Sequence, residues 1–159
     1  MIIVVALLGL FMGAVYEATI VGLRVAHAAD EREQLRQQLS AVLDRFTREA
    51  GFATNVDYAQ DARFQFDSPS VNNVNYTYSS GTLTRDASGS SQVTLLSNIT
   101  AFDFNYIDDL AAEYASCDVT SSCASNCCRA DVRAVKVTVT VAKGNETFSM
   151  TSSASLRGL

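Results

Sequence analysis

The strongest constraint on this chain is its opening stretch. Residues 1–23, MIIVVALLGLFMGAVYEATIVGL, contain one acidic residue and no Lys or Arg. Such a run is typical of a helix that lies in lipid or is buried by other helices. No Pro and no turn cluster separate it from the polar stretch that follows, ADEREQLRQQLSAVLDRFTREAG. We therefore expect one continuous helix that passes from an apolar environment into water.

The unbroken apolar part, residues 1–15, is short for a membrane helix. It spans about 22 Å, whereas the hydrocarbon core of a bilayer is about 30 Å thick. An extension to Leu23 supplies the length but places Glu17 inside the bilayer, at a cost of about 2.5–3.5 kcal/mol near the centre. If Tyr16 and Glu17 instead lie near the outer interface, about five more apolar residues are needed before Met1. We expect the mature stem to begin upstream of this sequence.

Two other interpretations of the opening stretch are a cleaved signal peptide and a plain single-span anchor. Ala26-His27-Ala28 offers the small-x-small pattern of a cleavage site. However, no basic region precedes the apolar run, and the helical periodicity continues through the supposed cleavage site. The single-span anchor fits the residues better than the signal peptide does.

The polar continuation of the helix carries one apolar stripe. Its apolar residues are spaced by 4, 3, 1, 3 and 4 positions, which places them on one face of a helix; they are Leu35, Leu39, Val42, Leu43, Phe46 and Ala50. Asp44 and Arg48 form an acid-first pair one turn apart, and Gly51 is a natural helix end. We expect this stripe to pack against a sheet made by the rest of the chain.

Beyond Phe52 the periodicity of the sequence changes from 3.6 to 2, which predicts strands. The predicted strands lie around residues 64–66, 74–78, 82–85, 93–96, 99–107, 132–141 and 147–156, with a Ser-Ser-Gly turn at 79–81 and a Lys-Gly-Asn turn at 143–145. The predicted fold is α+β, with a long N-terminal helix packed on an antiparallel β-sheet. The predicted organisation is an apolar stem at 1–24, an amphipathic half of the same helix at 25–54, and an extracytoplasmic head at 55–159.

The four cysteines fall in one window of the segment 108–131, which interrupts the predicted sheet. They are Cys117, Cys123, Cys127 and Cys128. An even number of clustered cysteines outside the cytoplasm indicates disulfides. A bond between the adjacent Cys127 and Cys128 would form a strained ring, so two pairings stay open: Cys117–Cys127 with Cys123–Cys128, or Cys117–Cys128 with Cys123–Cys127. A zinc site is disfavoured because CxxC pairs and a neighbouring His are missing.

The sequence offers little for other kinds of site. Asp108, Asp109, Glu113 and Asp118 make an oxygen-rich calcium candidate, but their spacing matches no EF-hand and a solvated acidic loop explains them better. With one His and no GxSxG motif, we expect no enzyme and no cofactor. The net charge of −5 argues against a nucleic-acid partner.

Several segments together resemble the type IV pilin family. MIIVVALLGLFMGAVY is similar to the part of the pilin stem that follows the cleavage-site segment. LDRFTREAG at 43–51, SGTLTR at 80–85, LLSNITAFDFNYID at 95–108, and VRAVKVTVTV with the closing SLRGL resemble W-type minor pilins and J-type pseudopilins of type II secretion. The resemblance covers almost the whole chain. The order of the segments is a stronger signal than any one of them.

The resemblance implies a filament subunit that self-associates through its stem. Its partners would be other pilins, the inner-membrane assembly machinery, and the membrane before assembly. Its location would be the inner membrane and then an extracellular or periplasmic filament. The residues expected to mediate assembly are Met1, Val5, Leu8, Gly9, Met12, Gly13, Tyr16, Glu17 and Arg24. Gly9 and Gly13 form a small-xxx-small pattern that allows close helix approach.

The chain departs from the family pattern at its beginning. The cleavage-site glycine, the residue with the methylated amine and the early glutamate are absent, as is the helix-breaking proline of the family. Glu17 falls too late to take the place of that glutamate. Two environments stay open for it: a pair with Arg24 of a neighbouring subunit in a dry filament core, or water and lipid headgroups. The other functions that fit are a secretion pseudopilin and a membrane-anchored extracytoplasmic binding module.

Overall fold

The computed structural model describes residues 2–88, 90–117, 131–143 and 146–157 of the 159-residue chain. The chain divides into two units, Met1–Leu35 and Arg36–Leu159, called here the N-terminal unit and the C-terminal unit. In the described part, one helix precedes nine strands. The structure is therefore α+β, as the sequence predicts.

The helix α1 covers Ile2–Ala50, 49 residues without a Pro. It ends where the sequence predicts, because the N–H of Gly51 makes the last helical hydrogen bond, to the carbonyl of Thr47 at 2.9 Å. The N–H of Ala53 then bonds to the carbonyl of Ala50 at 2.9 Å in a tighter turn. The helix thus ends at Ala50, next to the predicted stop at Gly51 and four residues before the end of the predicted segment 25–54.

Two antiparallel sheets follow the helix. The first has the order β1-β2-β3-β4-β5, with the strands β1 (Asn55–Gln60), β2 (Arg63–Ser68), β3 (Val71–Ser79), β4 (Thr82–Asp86) and β5 (Val93–Leu96). The second has the order β7-β6-β8-β9, with the strands β6 (Ile99–Ile107), β7 (Glu113–Tyr114), β8 (Ala134–Lys143) and β9 (Glu146–Ser155). Neighbours in each sheet are antiparallel, so most connections are short hairpins.

The expectation of a single sheet is wrong, and the reason lies at the junction of β5 and β6. Only two residues join these strands, and Asn98 has a positive φ of 60° that turns the chain sharply. The N–H of Ile99 then bonds to the carbonyl of Gly81, between β3 and β4 of the first sheet, at 3.0 Å. The carbonyl of Asn98 accepts from the N–H of Ala142, in β8 of the second sheet, at 3.0 Å. The chain changes sheets at this point.

The core of the C-terminal unit lies where the end of α1 meets both sheets. The predicted stripe is confirmed there at four of its six positions, because Leu39, Leu43, Phe46 and Ala50 are buried, whereas Leu35 and Val42 are half-buried. The ring of Phe46 contacts rings from both sheets, at centroid distances of 6.0, 5.1 and 5.7 Å to Phe64, Tyr76 and Phe104 respectively. Aromatic pairs at such distances add to the free energy gained from burial. The helix therefore holds the two sheets in one core.

Candidate functional site

The N-terminal unit displays apolar side chains in water. Ile3, Val4, Leu8, Phe11 and Met12 are each between 58% and 76% exposed, and the same holds further along for Tyr16, Val21, Leu23 and Val25, between 57% and 68%. These positions do not keep to one face of the helix. A helix that is apolar on all sides is stable when lipid or other helices cover it. Burial of apolar area contributes about 25 cal/mol per Å², so a partner that covers this surface would gain free energy from its burial.

The structure places most of the predicted assembly residues on this surface. Leu8, Gly9, Met12, Gly13, Tyr16, Glu17 and Arg24 are exposed residues of α1, whereas Met1 and the side chain of Val5 lie outside the described part. Gly9, Gly13 and Glu17 follow one another at a spacing of four and therefore line one face. Among the described neighbours, a Cβ added to either glycine would meet no atom within 4 Å. This face is open to a second helix.

One expectation about this stretch concerns the membrane. Within the part of the chain that the structure describes, no helix is long and apolar enough to cross a membrane. The membrane location expected for residues 1–24 stays a prediction.

One of the predicted disulfide cysteines, Cys117, lies in the described part. It is buried and disulfide-bonded, and its backbone N–H donates to the carbonyl of Ala59 in β1 at 2.8 Å. Cys123, Cys127 and Cys128 lie outside the described residues. Both pairings from the sequence therefore stay open.

The predicted calcium candidates are only partly described. Asp108 is buried, and its carboxylate accepts two backbone N–H groups within its own turn. Glu113 forms an ion pair with Lys136 of β8, Asp109 is exposed, and Asp118 lies outside the described residues. Among those described, no group of three or more His, Cys, Asp or Glu side chains could hold a metal ion. Asp108 therefore holds its own turn, and Glu113 connects β7 to β8.

A polar cluster that the sequence did not predict joins α1 to the first sheet. The carboxylate of Glu49 accepts three hydrogen bonds. Oε2 accepts from the hydroxyl of Tyr76 in β3 and from Nε of Arg85 in β4, both at 2.7 Å, and Oε1 accepts from Nε of Arg45 at 3.0 Å. Bonds to a charged partner are shorter and stronger than neutral ones. The cluster therefore fixes the end of the helix against β3 and β4.

The cluster changes the pKa values of its members. Burial acts to raise the pKa of Glu49, but the hydrogen bonds from Arg85, Tyr76 and Arg45 outweigh it and leave that pKa below its ordinary value. Burial acts to lower the pKa of Arg85, but the bond to Glu49 and its charge raise it overall. Burial and the bond to Glu49 raise the pKa of Tyr76. The shifted pKa values therefore keep Glu49 negative, Arg85 positive and the hydroxyl of Tyr76 protonated as a donor.

A pocket of about 420 Å³ lies next to the cluster in the C-terminal unit. Phe52, Pro69, Val71 and Val74 give it apolar walls, and Arg48, Glu49 and Arg85 lie at its polar side. A second pocket of about 300 Å³ shares Arg48 and Phe52 and reaches Ala154 and Arg157. Phe52 lines both pockets. We call the surface that the two pockets form together the Phe52 pocket.

No protein-family model matches the chain, and no curated protein matches it significantly. The pilin family therefore stays a prediction from the residues and their order.

Proposed function

We propose that this chain is a structural subunit of a type IV pilus-like filament that assembles through its N-terminal helix. The observation that carries the proposal is the apolar surface of the N-terminal unit, where side chains such as Phe11 and Met12 are more than 60% exposed. The amphipathic end of the same helix, in contrast, is buried in the core of the C-terminal unit. A folded domain that carries an uncovered apolar helix is suited to bury that helix among copies of itself.

The pattern of small residues supports contacts between helices. Gly9 and Gly13 leave a smooth strip on the helix, which lets a second backbone approach closely and gain van der Waals contacts. A contact between such a strip and a different surface of the next copy is head-to-tail and need not close. Repetition of a contact that does not close produces a helical filament.

The proposal extends to the location of the chain and to its partners. Before assembly, residues 1–24 would be held in the inner membrane, where the assembly machinery and other pilins meet the subunit. After assembly, the filament would be extracellular or periplasmic. The chain would serve either as the main fibre subunit or as a minor tip subunit.

Electron microscopy of filaments sheared from producing cells tests the proposal. Antibodies against the chain should decorate filaments, and Leu8→Asp should abolish them while the amount of subunit in the cells is unchanged. Val93→Asp is the matched control, because Val93 is also an exposed apolar residue, 50% against 58% for Leu8, but lies in β5. The proposal fails if no filament carries the antibody or if both variants behave alike.

A membrane-anchored binding module is the second candidate, and the Phe52 pocket favours it. Its volume lies in the range of small-molecule sites, about 300–1,000 Å³.

A pseudopilin would instead give the antibody label on short periplasmic fibres. The location of the label and the presence of filaments separate the three functions.

A further inference from the structure

The Phe52 pocket has the features of a docking surface. Phe52 follows the end of α1 and is 64% exposed, although its neighbours Val74 and Ala53 are buried. Exposure of a large aromatic ring beside an apolar pocket leaves apolar area that a partner can cover. Aromatic and arginine side chains are also the residues that contribute most to protein interfaces.

The charge of this surface is opposite to that of the chain. The ionisable residues that line the two pockets are Arg48, Glu49, Arg85 and Arg157, a net charge of +2. The chain as a whole has a net charge of −5. Asp44 and Arg45, which pair with Arg48 and Glu49, cancel each other. An acidic partner with an apolar tip is therefore the complement of this surface.

The turn after β6 has that chemistry. Oδ1 of Asp108 accepts hydrogen bonds from the N–H groups of Leu110 at 2.9 Å and Ala112 at 2.8 Å, and the N–H of Asp108 donates to the carbonyl of Ala112 at 3.1 Å. Within this turn Leu110 is 84% exposed, and the exposed Asp109 precedes it. We call residues 108–112 the Leu110 turn.

The internal bonds of the Leu110 turn make it suitable for docking. A segment that is ordered before binding loses little conformational entropy when it binds. Because the side chain of Asp108 holds the backbone of the turn, the side chain of Leu110 is presented at a set position next to the carboxylate of Asp109. The pocket, in turn, offers apolar walls next to guanidinium groups.

We propose that the Leu110 turn of one copy docks into the Phe52 pocket of a second copy, with Asp109 facing Arg48. The inference rests on the proposed filament only in naming a second copy as the partner. Because a turn meets a pocket elsewhere on the surface, the contact is head-to-tail and can be repeated from copy to copy. It would add a contact between C-terminal units to the contact between helices.

Site-specific photo-crosslinking in the full chain tests the contact. A benzophenone amino acid replaces Leu110, and crosslinked dimers are digested with trypsin and identified by mass spectrometry. The peptides expected to carry the crosslink are Glu49–Arg63, which contains Phe52, and Phe64–Arg85, which contains the β2–β3 turn. Dimers linked through other peptides, or no dimers, overturn the inference, as does a small ligand that occupies the pocket in native mass spectra.

Two further probe positions separate this inference from the proposed function. A probe at Phe11 reports contacts between helices, and a probe at Val93, an exposed position in β5, gives the background from random collisions. Dimers from position 11 without dimers from position 110 leave the filament proposal intact and overturn the docking. Dimers from position 110 without dimers from position 11 support the docking and count against assembly through the helix.

A charge exchange tests the orientation of the turn. Asp109→Arg and Arg48→Asp should each lower the crosslink yield from position 110 about fivefold, and the two together should restore it, because like charges at a contact are unfavourable. Asp131→Arg, at another exposed acid of the C-terminal unit, is the control and should leave the yield unchanged. If neither single variant lowers the yield, Asp109 does not face Arg48.

Discussion

Glu49 connects α1 to the first sheet through two hydrogen bonds, from Tyr76 in β3 and Arg85 in β4, and accepts a third from Arg45 within α1. A hydrogen bond to a charged group contributes about 1.5–3 kcal/mol, more than a neutral one. We expect Glu49→Gln, which keeps the shape but removes the charge, to lower the free energy of unfolding by about 2 kcal/mol. Urea denaturation of the full chain, followed by the near-UV circular dichroism of its tyrosines, measures this change.

The effect of Glu49→Gln should also depend on pH. A carboxyl group whose pKa is lower in the folded than in the unfolded chain stabilises the fold above its unfolded pKa. That stability is lost as the pH falls through the folded pKa, which for Glu49 lies below the ordinary value of 4.5. The difference between the wild type and the variant should therefore be full at about pH 6 and shrink as the pH falls below about 4.

A matched control for this prediction lies five residues earlier on the helix. Asp44 pairs with Arg48 in an ion pair whose two side chains are 67% and 71% exposed, respectively. Exposed pairs contribute about 0–1 kcal/mol, so Asp44→Asn should have a small effect. Equal losses from the two variants would show that the cluster around Glu49 adds no stability beyond that of a surface pair.

Two phenylalanines near the end of α1 should differ sharply in their contribution to stability. Phe46 is 2% exposed and contacts rings of both sheets, whereas Phe52 is 64% exposed. Phe46→Ala should cost about 3–5 kcal/mol, because it leaves a cavity in a packed core. Phe52→Ala should change the free energy of unfolding by less than about 0.5 kcal/mol. The same urea titration tests both, and a similar loss from both would contradict the core described here.

The buried residues of α1 could be predicted from the sequence, but the polar cluster and the pocket could not. Leu39, Leu43 and Phe46 repeat at helical spacing, and that periodicity alone indicates a buried face. Glu49 lies three residues after Phe46, so an acid at the margin of the stripe was the only local signal. Its partners in β3 and β4 are separated from it by 27 and 36 positions. No local pattern connects residues at such separations.

At the scale of single elements, the hairpin of β3 and β4 depends on the backbone of its turn. Ser80 and Gly81 have positive φ values of 50° and 75°, as the two central residues of a type I′ turn require. A Cβ on Gly81 would also lie 3.2 Å from the carbonyl oxygen of Ile99. Gly81→Ala should therefore cost about 1–2 kcal/mol.

The neighbouring position supplies the control for this hairpin. Asn tolerates a positive φ better than Ser does, so Ser80→Asn should be neutral or slightly stabilising. Thermal unfolding of both variants followed by circular dichroism gives the comparison. A loss of stability from Ser80→Asn as large as that from Gly81→Ala would mean that strain in the turn does not set the stability of the hairpin.

Strands were predictable where one of their faces is buried. The alternation of Val135, Val137, Val139 and Val141 predicts β8, and all four residues are buried. β1 was missed because a register shift between Val56 and Tyr58 breaks its alternation, and β7 because it has only two residues. The split into two sheets was also missed, since it depends on the backbone of Asn98 and on bonds to residues far away in the sequence.

At the scale of the whole molecule, the two units differ in whether their apolar side chains are buried or exposed to water. In the C-terminal unit, apolar residues from α1 and both sheets are buried together. In the N-terminal unit, large apolar side chains are exposed. Cover from other copies would place Glu17 and Arg24 in a dry environment. Since a charge buried without a partner costs several kcal/mol, each would then need an opposite charge from another copy.

This requirement leads to a prediction about assembly. Glu17→Gln should lower the amount of filament at least about tenfold, because it leaves Arg24 of the neighbour buried without its partner. Glu17→Gln combined with Arg24→Gln should restore part of that loss, since no uncompensated charge remains. Asp30→Asn, at an exposed acid of the same helix beyond Arg24, is the control. Filament yield after shearing, relative to total subunit, gives the measurement. If Glu17→Gln leaves the yield unchanged, the two charges do not meet in the assembly.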